Sequence, residues 1–224
     1  MSSERSVSLT EIIVGASLSL VLGLLASFAY LSLQPVEILS EPPEEGEFRS
    51  SAAYFVEGQA QGQYRNQWEG LLNQIQEVLR GGDLDVTIRE DDLNHWAAAN
   101  FVAPDEDEME RPFFGGVFPK NLNFRVNEEL IHIGIDMDYD GLGLRHVFKL
   151  QIIGGLEESR GQNEFSVGEV YLGQCRIPSI FGLRGFFLNR VRESYPVPPA
   201  IPNVLREAEV FEVNEGEIRL VVGS

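Results

Sequence analysis

The sequence predicts an α+β protein: an N-terminal transmembrane helix, then helices packed on a curved antiparallel β-sheet. Three observations predict it. Ile12 to Leu33 runs without one charged side chain, bounded by Glu11 and Glu37. From Leu122 to Gln174 apolar residues recur at every second position between turn residues, as strands do. On either side of that region the apolar residues fall instead at helical spacing. The chain divides accordingly into a tail (1–11), an anchor (12–33), an acidic, proline-rich linker (34–50) and a folded domain (51–224).

The anchor comes first. A bilayer core about 30 Å thick needs about 20 apolar residues in a helix, so the run is long enough to cross once. A cleavable signal peptide is the competing reading, with Ser27-Phe28-Ala29 as its small-x-small site. A signal core is shorter, about 7–15 residues, and follows a basic stretch, whereas here Arg5 stands among Glu4 and Glu11. A retained anchor is therefore expected. Arg5 and the terminal amine precede the span and five glutamates follow it before Arg49, which points to an N-in topology. The folded domain is then extracytoplasmic, on the inner (cytoplasmic) membrane and periplasmic where a periplasm exists. Gly15, Ser19, Gly23 and Ser27 make a small-residue stripe on one helix face, which suits a homodimer or a membrane-protein partner as well as a plain span.

Net charge is −18, with 17 Lys and Arg against 35 Asp and Glu, which excludes nucleic acid and a polybasic grip on anionic lipid. Much of the excess sits in Glu37–Glu47 and Asp105–Glu110, which read as solvated chain. With Cys175 the single cysteine there is no internal disulfide, and the domain must hold by burial alone.

The elements follow in order. Ser51 to Arg80 reads as helix, strongest from Tyr64 onward, with Gly81-Gly82 as its stop. Leu84, Val86 and Ile88 alternate as a strand, and Glu90, Asp91 and Asp92 then place negative charge at a helix start. That short helix carries Leu93, Trp96 and Ala97 on its apolar face and ends near Phe101. A meander follows: a strand to Val126, a turn at Asn127–Glu129, a strand through Tyr139, a turn at Gly141–Gly143, a strand through Ile152, a turn at Ser159–Asn163, and a strand from Phe165 to Gln174 bulged near Gly168. Pro178 ends the sheet. Phe181 to Tyr195 reads as an amphipathic helix, the four prolines from Pro196 to Pro202 as a link, and Val210–Val213 with Ile218–Val222 as a closing hairpin.

Little in the chain looks catalytic. Asp136-Met-Asp138-Tyr-Asp140-Gly141 copies the first half of a calcium loop, but Val147 stands where its bidentate acid belongs. His95, His132 and His146 are scattered, and His132 with Asp136 and Asp138 on one strand face falls short of a zinc site. Gly154-Gly155 reads as turn chemistry, and no nucleophile motif appears. No catalytic residue, metal ligand or cofactor is expected. The remaining feature is apolar: Ile180, Phe181, Leu183, Phe186 and Phe187 either fill the core or line a groove for an acyl chain.

Three segments carry a resemblance. Val86-Thr-Ile-Arg-Glu-Asp-Asp-Leu93-Asn94, Val126-Asn-Glu-Glu-Leu130-Ile131, and Val167-Gly-Glu-Val-Tyr-Leu172-Gly173-Gln-Cys-Arg-Ile177-Pro178 stand in an order that resembles the YpmS-like family of single-span extracytoplasmic proteins. The likeness covers Ile12 to Val222, interrupted by the acidic insert Asp105–Glu110 and the long helix before Val86. It implies a helix-on-sheet outline like that of lipid-binding folds, with structural roles for Leu93, Asn94, Gly173 and Pro178, and carries over no catalytic residue. The expected function is a membrane-anchored, non-enzymatic envelope protein that binds or escorts a lipid or other apolar ligand. The alternative is a structural or assembly partner of a membrane complex, acting through the anchor and the acidic surface.

Overall fold

The structure, a computed structural model, describes residues 8–39, 54–56, 84–100, 116–127, 129–141, 143–159, 162–179, 182–194, 208–214 and 216–222. The core of the predicted helix (64–80), the acidic insert (105–110) and the proline link (196–202) lie outside them.

Helix α1, Leu9–Leu33, opens with a capping box: the Glu11 N–H donates to Ser8 Oγ at 3.1 Å and the Ser8 N–H to Glu11 Oε2 at 2.8 Å. Its mean hydropathy of 2.3 and its 25 residues make it long and apolar enough to cross a membrane. Its last turn is docked. The Gln174 N–H donates to Leu31 O at 3.1 Å, Gln174 Nε2 donates to Pro35 O at 2.6 Å, and Ser32 is buried. Gly173, at φ 56°, lets this happen, because a Cβ there would stand 2.3 Å from Ser32 O.

Two short segments differ from expectation. Glu37–Leu39 (β1), inside the expected linker, pairs in parallel with Tyr54–Val56 (β2), inside the expected helix. Tyr, Phe and Val are strand formers, and Gly58 removes helical support just beyond them.

The main sheet has five antiparallel strands in sequential order: β4 (Gly116–Asn127), β5 (Leu130–Gly141), β6 (Leu144–Ser159), β7 (Gln162–Leu172) and β8 (Cys175–Arg176). The turns fall where the sequence puts them. The predicted bulge is present: Ile153 pairs Glu169 and Gly154 pairs Val167, leaving Gly168 as the extra residue. β4 starts earlier than alternation suggested, because Pro119 and a bulge between Lys120 and Asn123, with Asn121 at φ 48°, mask its period. Proline is tolerated there because β4 is an edge strand. β3 (Leu84–Arg89), β10 (Glu217–Val222) and β9 (Val210–Asn214) form a separate antiparallel sheet in that order.

Helix α2, Glu90–Asn100, joins the two sheets by finishing the edge of β4. Asn94 Nδ2 donates to Phe124 O at 2.9 Å and the Phe124 N–H donates to Asn94 Oδ1 at 2.7 Å. Two residues on, the Val126 N–H donates to Glu90 Oε2 at 2.9 Å and Val126 O accepts from the Gly216 N–H at 2.9 Å. Glu90 and Asn94 are one turn apart, so a single helix face meets the outward backbone groups of alternate strand residues. The edge that would otherwise expose unpaired donors and acceptors is thereby closed.

Among the described residues the core has two clusters. Ile135, Met137, Leu150, Ile152, Val170 and Leu172 pack against Trp96 and Ala97 of α2 and Phe187 of α3 (Leu183–Ser194). Val126 and Ile131 pack against Val86, Ile88, Ile218 and Leu220 of the smaller sheet.

Candidate functional site

The expected groove residues are divided between inside and outside. Ile180 and Phe181 lie outside the described residues. Phe187 is in the core, stacked edge-on against Phe186 with ring centres 5.3 Å apart, while Leu183 (39 %) and Phe186 (55 %) are exposed. Gly15, Ser19, Gly23 and Ser27 share exposed α1 surface, and nothing approaches within 4 Å of where a Cβ on Gly15 or Gly23 would stand.

The second face of the main sheet is where the structure becomes informative. Asp136, Asp138 and Asp140 each meet a different cation: Lys149 for Asp136, Lys120 at 2.7 Å for Asp138, and Arg145 at 3.0 Å for Asp140. Their carboxylates diverge along β5 rather than converging on one point, and among the described residues no group of three metal-ligating side chains comes together. Further along the same face His132 and Gln151 are buried, although β5 alternation alone would have left His132 outside.

These two residues floor a cleft of about 960 Å³. Register explains the grouping. His132 pairs Ile153, Ile153 pairs Glu169, and Gln151 pairs Tyr171, so all five side chains project from one face of three adjacent strands. The apolar lining comes from Leu130, Ile153 and Leu156 of the main sheet and Phe211 and Val213 of β9. Gly154, Gly155 and Gly168 line it as well. Gly154-Gly155 is therefore not a turn: the pair lies inside β6 beside the bulge. A Cβ on Gly154 would stand 2.4 Å from Ser166 O and 2.6 Å from the Phe165 ring, so only glycine fits this close approach.

The polar floor is specific. Gln151 Nε2 lies 3.3 Å from His132 Nδ1, so with that ring nitrogen as acceptor the proton sits on Nε2. Burial, and then the nearby Arg125 guanidinium, hold the His132 imidazole down at about 4, leaving it neutral at neutral pH. Gln151 is 2 % exposed, and its Oε1 is buried without a hydrogen-bond partner. Tyr171 donates its hydroxyl to Glu169 Oε2 at 2.5 Å, and Glu169 Oε1 is 2.6 Å from Arg176. Burial, then the Glu169 carboxylate, push the Tyr171 hydroxyl up to about 12. Such a site can enclose an apolar body and hydrogen-bond a polar head.

Sequence reasoning missed Gln151, Tyr171, Phe211 and Val213, because they meet only through strand register and the approach of β9. The available signal was the glycine pair in a long strand. Cys175 is outside this lining, buried, with its thiol pushed up by burial. Compared with protein-family models and with curated proteins, the chain matches none.

Proposed function

We propose that this protein is a membrane-anchored, non-enzymatic extracytoplasmic domain that takes an amphiphilic molecule into the cleft on its main sheet. The observation that carries the reading is the cleft: about 960 Å³, apolar walls, and one buried glutamine oxygen with no partner. Ligand pockets have this make-up, mostly apolar with a few placed polar groups. The anchor keeps the domain beside a bilayer, where amphiphiles are concentrated, and the N-in topology puts it on the extracytoplasmic side. The order of the three motifs accords with a place in the YpmS-like family.

The test uses the full chain, purified in mild detergent and analysed by native mass spectrometry. Wild type should carry an added mass that extracts into organic solvent. Ser166→Trp, which puts an indole at the cleft lining, should carry none. A clean apo mass for wild type after incubation with envelope lipids would end this reading. It would also favour the second one, assembly into a membrane complex, for which the open Gly15/Gly23 face speaks. In that case Gly23→Ile should lose a co-purifying membrane protein.

A further inference from the structure

We propose that the ligand of this cleft carries a primary ammonium on an apolar body, held by Gln151 Oε1 and by the carboxylates around the cleft. This rests on the ligand-binding reading above and names the ligand's chemistry.

Three observations carry it. The charged side chains lining the cleft are all carboxylates, Glu129, Glu157, Glu169 and Glu212, with no lysine or arginine among them. Glu169 is matched by Arg176, and Glu212 more loosely by Arg219 at 3.6 Å, but among the described residues Glu129 and Glu157 have no ion-pair partner. The unmatched charge around the cleft is therefore negative, which repels an anionic head and draws in a cation. The second observation is Gln151. Its Nε2 is committed to His132 Nδ1, so its open valence is the acceptor Oε1, buried and without a hydrogen-bond partner. That atom calls for a donor, which an ammonium N–H supplies and a carboxylate or quaternary ammonium does not. Third, His132 is buried and neutral, and the nearby Arg125 guanidinium is matched by Glu90 at 2.8 Å, so little net positive charge opposes a cationic head.

The test compares octylamine, octanol and octanoate by isothermal titration at neutral pH against the full chain in uncharged detergent, with Ser166→Trp protein as the blank. Octylamine should bind about tenfold or more tightly than octanol, and octanoate should not register above the blank. In Glu129→Gln/Glu157→Gln protein the preference for octylamine over octanol should fall severalfold while octanol binding stays unchanged. Octanoate binding as well as octylamine, or a preference untouched by the double substitution, would overturn the ammonium assignment and leave the cleft reading standing. If none of the three exceeds the blank, the assignment and the cleft reading fall together.

Discussion

Replacing Asn94 tests whether a side chain completes the sheet edge. Asn94 is 0 % exposed, and its amide makes both hydrogen bonds of Phe124, at 2.9 Å and 2.7 Å. In Asn94→Ala both bonds are lost, and a backbone N–H and C=O are left without partners. Each orphaned group costs about 1–3 kcal/mol, reduced where water enters the vacated space, so the net loss should be about 3–4 kcal/mol. Asn94→Leu fills the volume yet leaves both groups unpaired, and should lose nearly as much. Asn94→Asp keeps the bond from the Phe124 N–H but sets a carboxylate oxygen against Phe124 O. Its folded-state pKa should be raised, so its stability should be best below about pH 4 and fall as pH rises through the raised value. The assay is urea unfolding of the full chain in detergent, followed by tryptophan fluorescence, since Trp96 lies 6.1 Å from the Phe124 ring. A loss under about 1 kcal/mol for both Asn94→Ala and Asn94→Leu would show that the edge is satisfied some other way.

Three further outcomes are expected. His132 is held at about 4, below the 6.5 of an unfolded histidine, so the unfolded chain binds more protons between those values. Stability should therefore be full above pH 6.5 and fall by about 3 kcal/mol as pH drops toward 4, and His132→Gln should flatten that slope in pH-dependent urea titrations. Gly173→Ala puts a methyl against Ser32 O, so it should release the docked end of α1, read as faster proteolysis near Pro35 with the domain still folded. Cys175, buried and with its thiol pushed up, should resist iodoacetamide in the native protein and react promptly in urea; rapid native alkylation would contradict its placement.

The fold was legible wherever a local pattern carries its own physics. An uncharged run from Ile12 to Leu33 makes a membrane-length helix, because nothing in it opposes burial in hydrocarbon. Alternation from Ile131 to Tyr139 makes a strand, since side chains on a pleated backbone face opposite ways, and Gly168 marks the bulge. β1, β2 and the first half of β4 were not legible: the first two are three residues each, and a bulge breaks the period of the third.

The cleft belongs to tertiary structure. His132, Gln151 and Tyr171 sit on three strands, and only register sets them side by side, while Phe211 and Val213 arrive from a separate sheet. Asn94 shows the same division. The sequence places it at a helix start, but its work depends on a strand edge 30 residues away. Local sequence determines which element each residue joins, because backbone conformation and hydrophobic period are short-range. Which side chains meet is decided by the long-range pairing of those elements, which no single segment encodes.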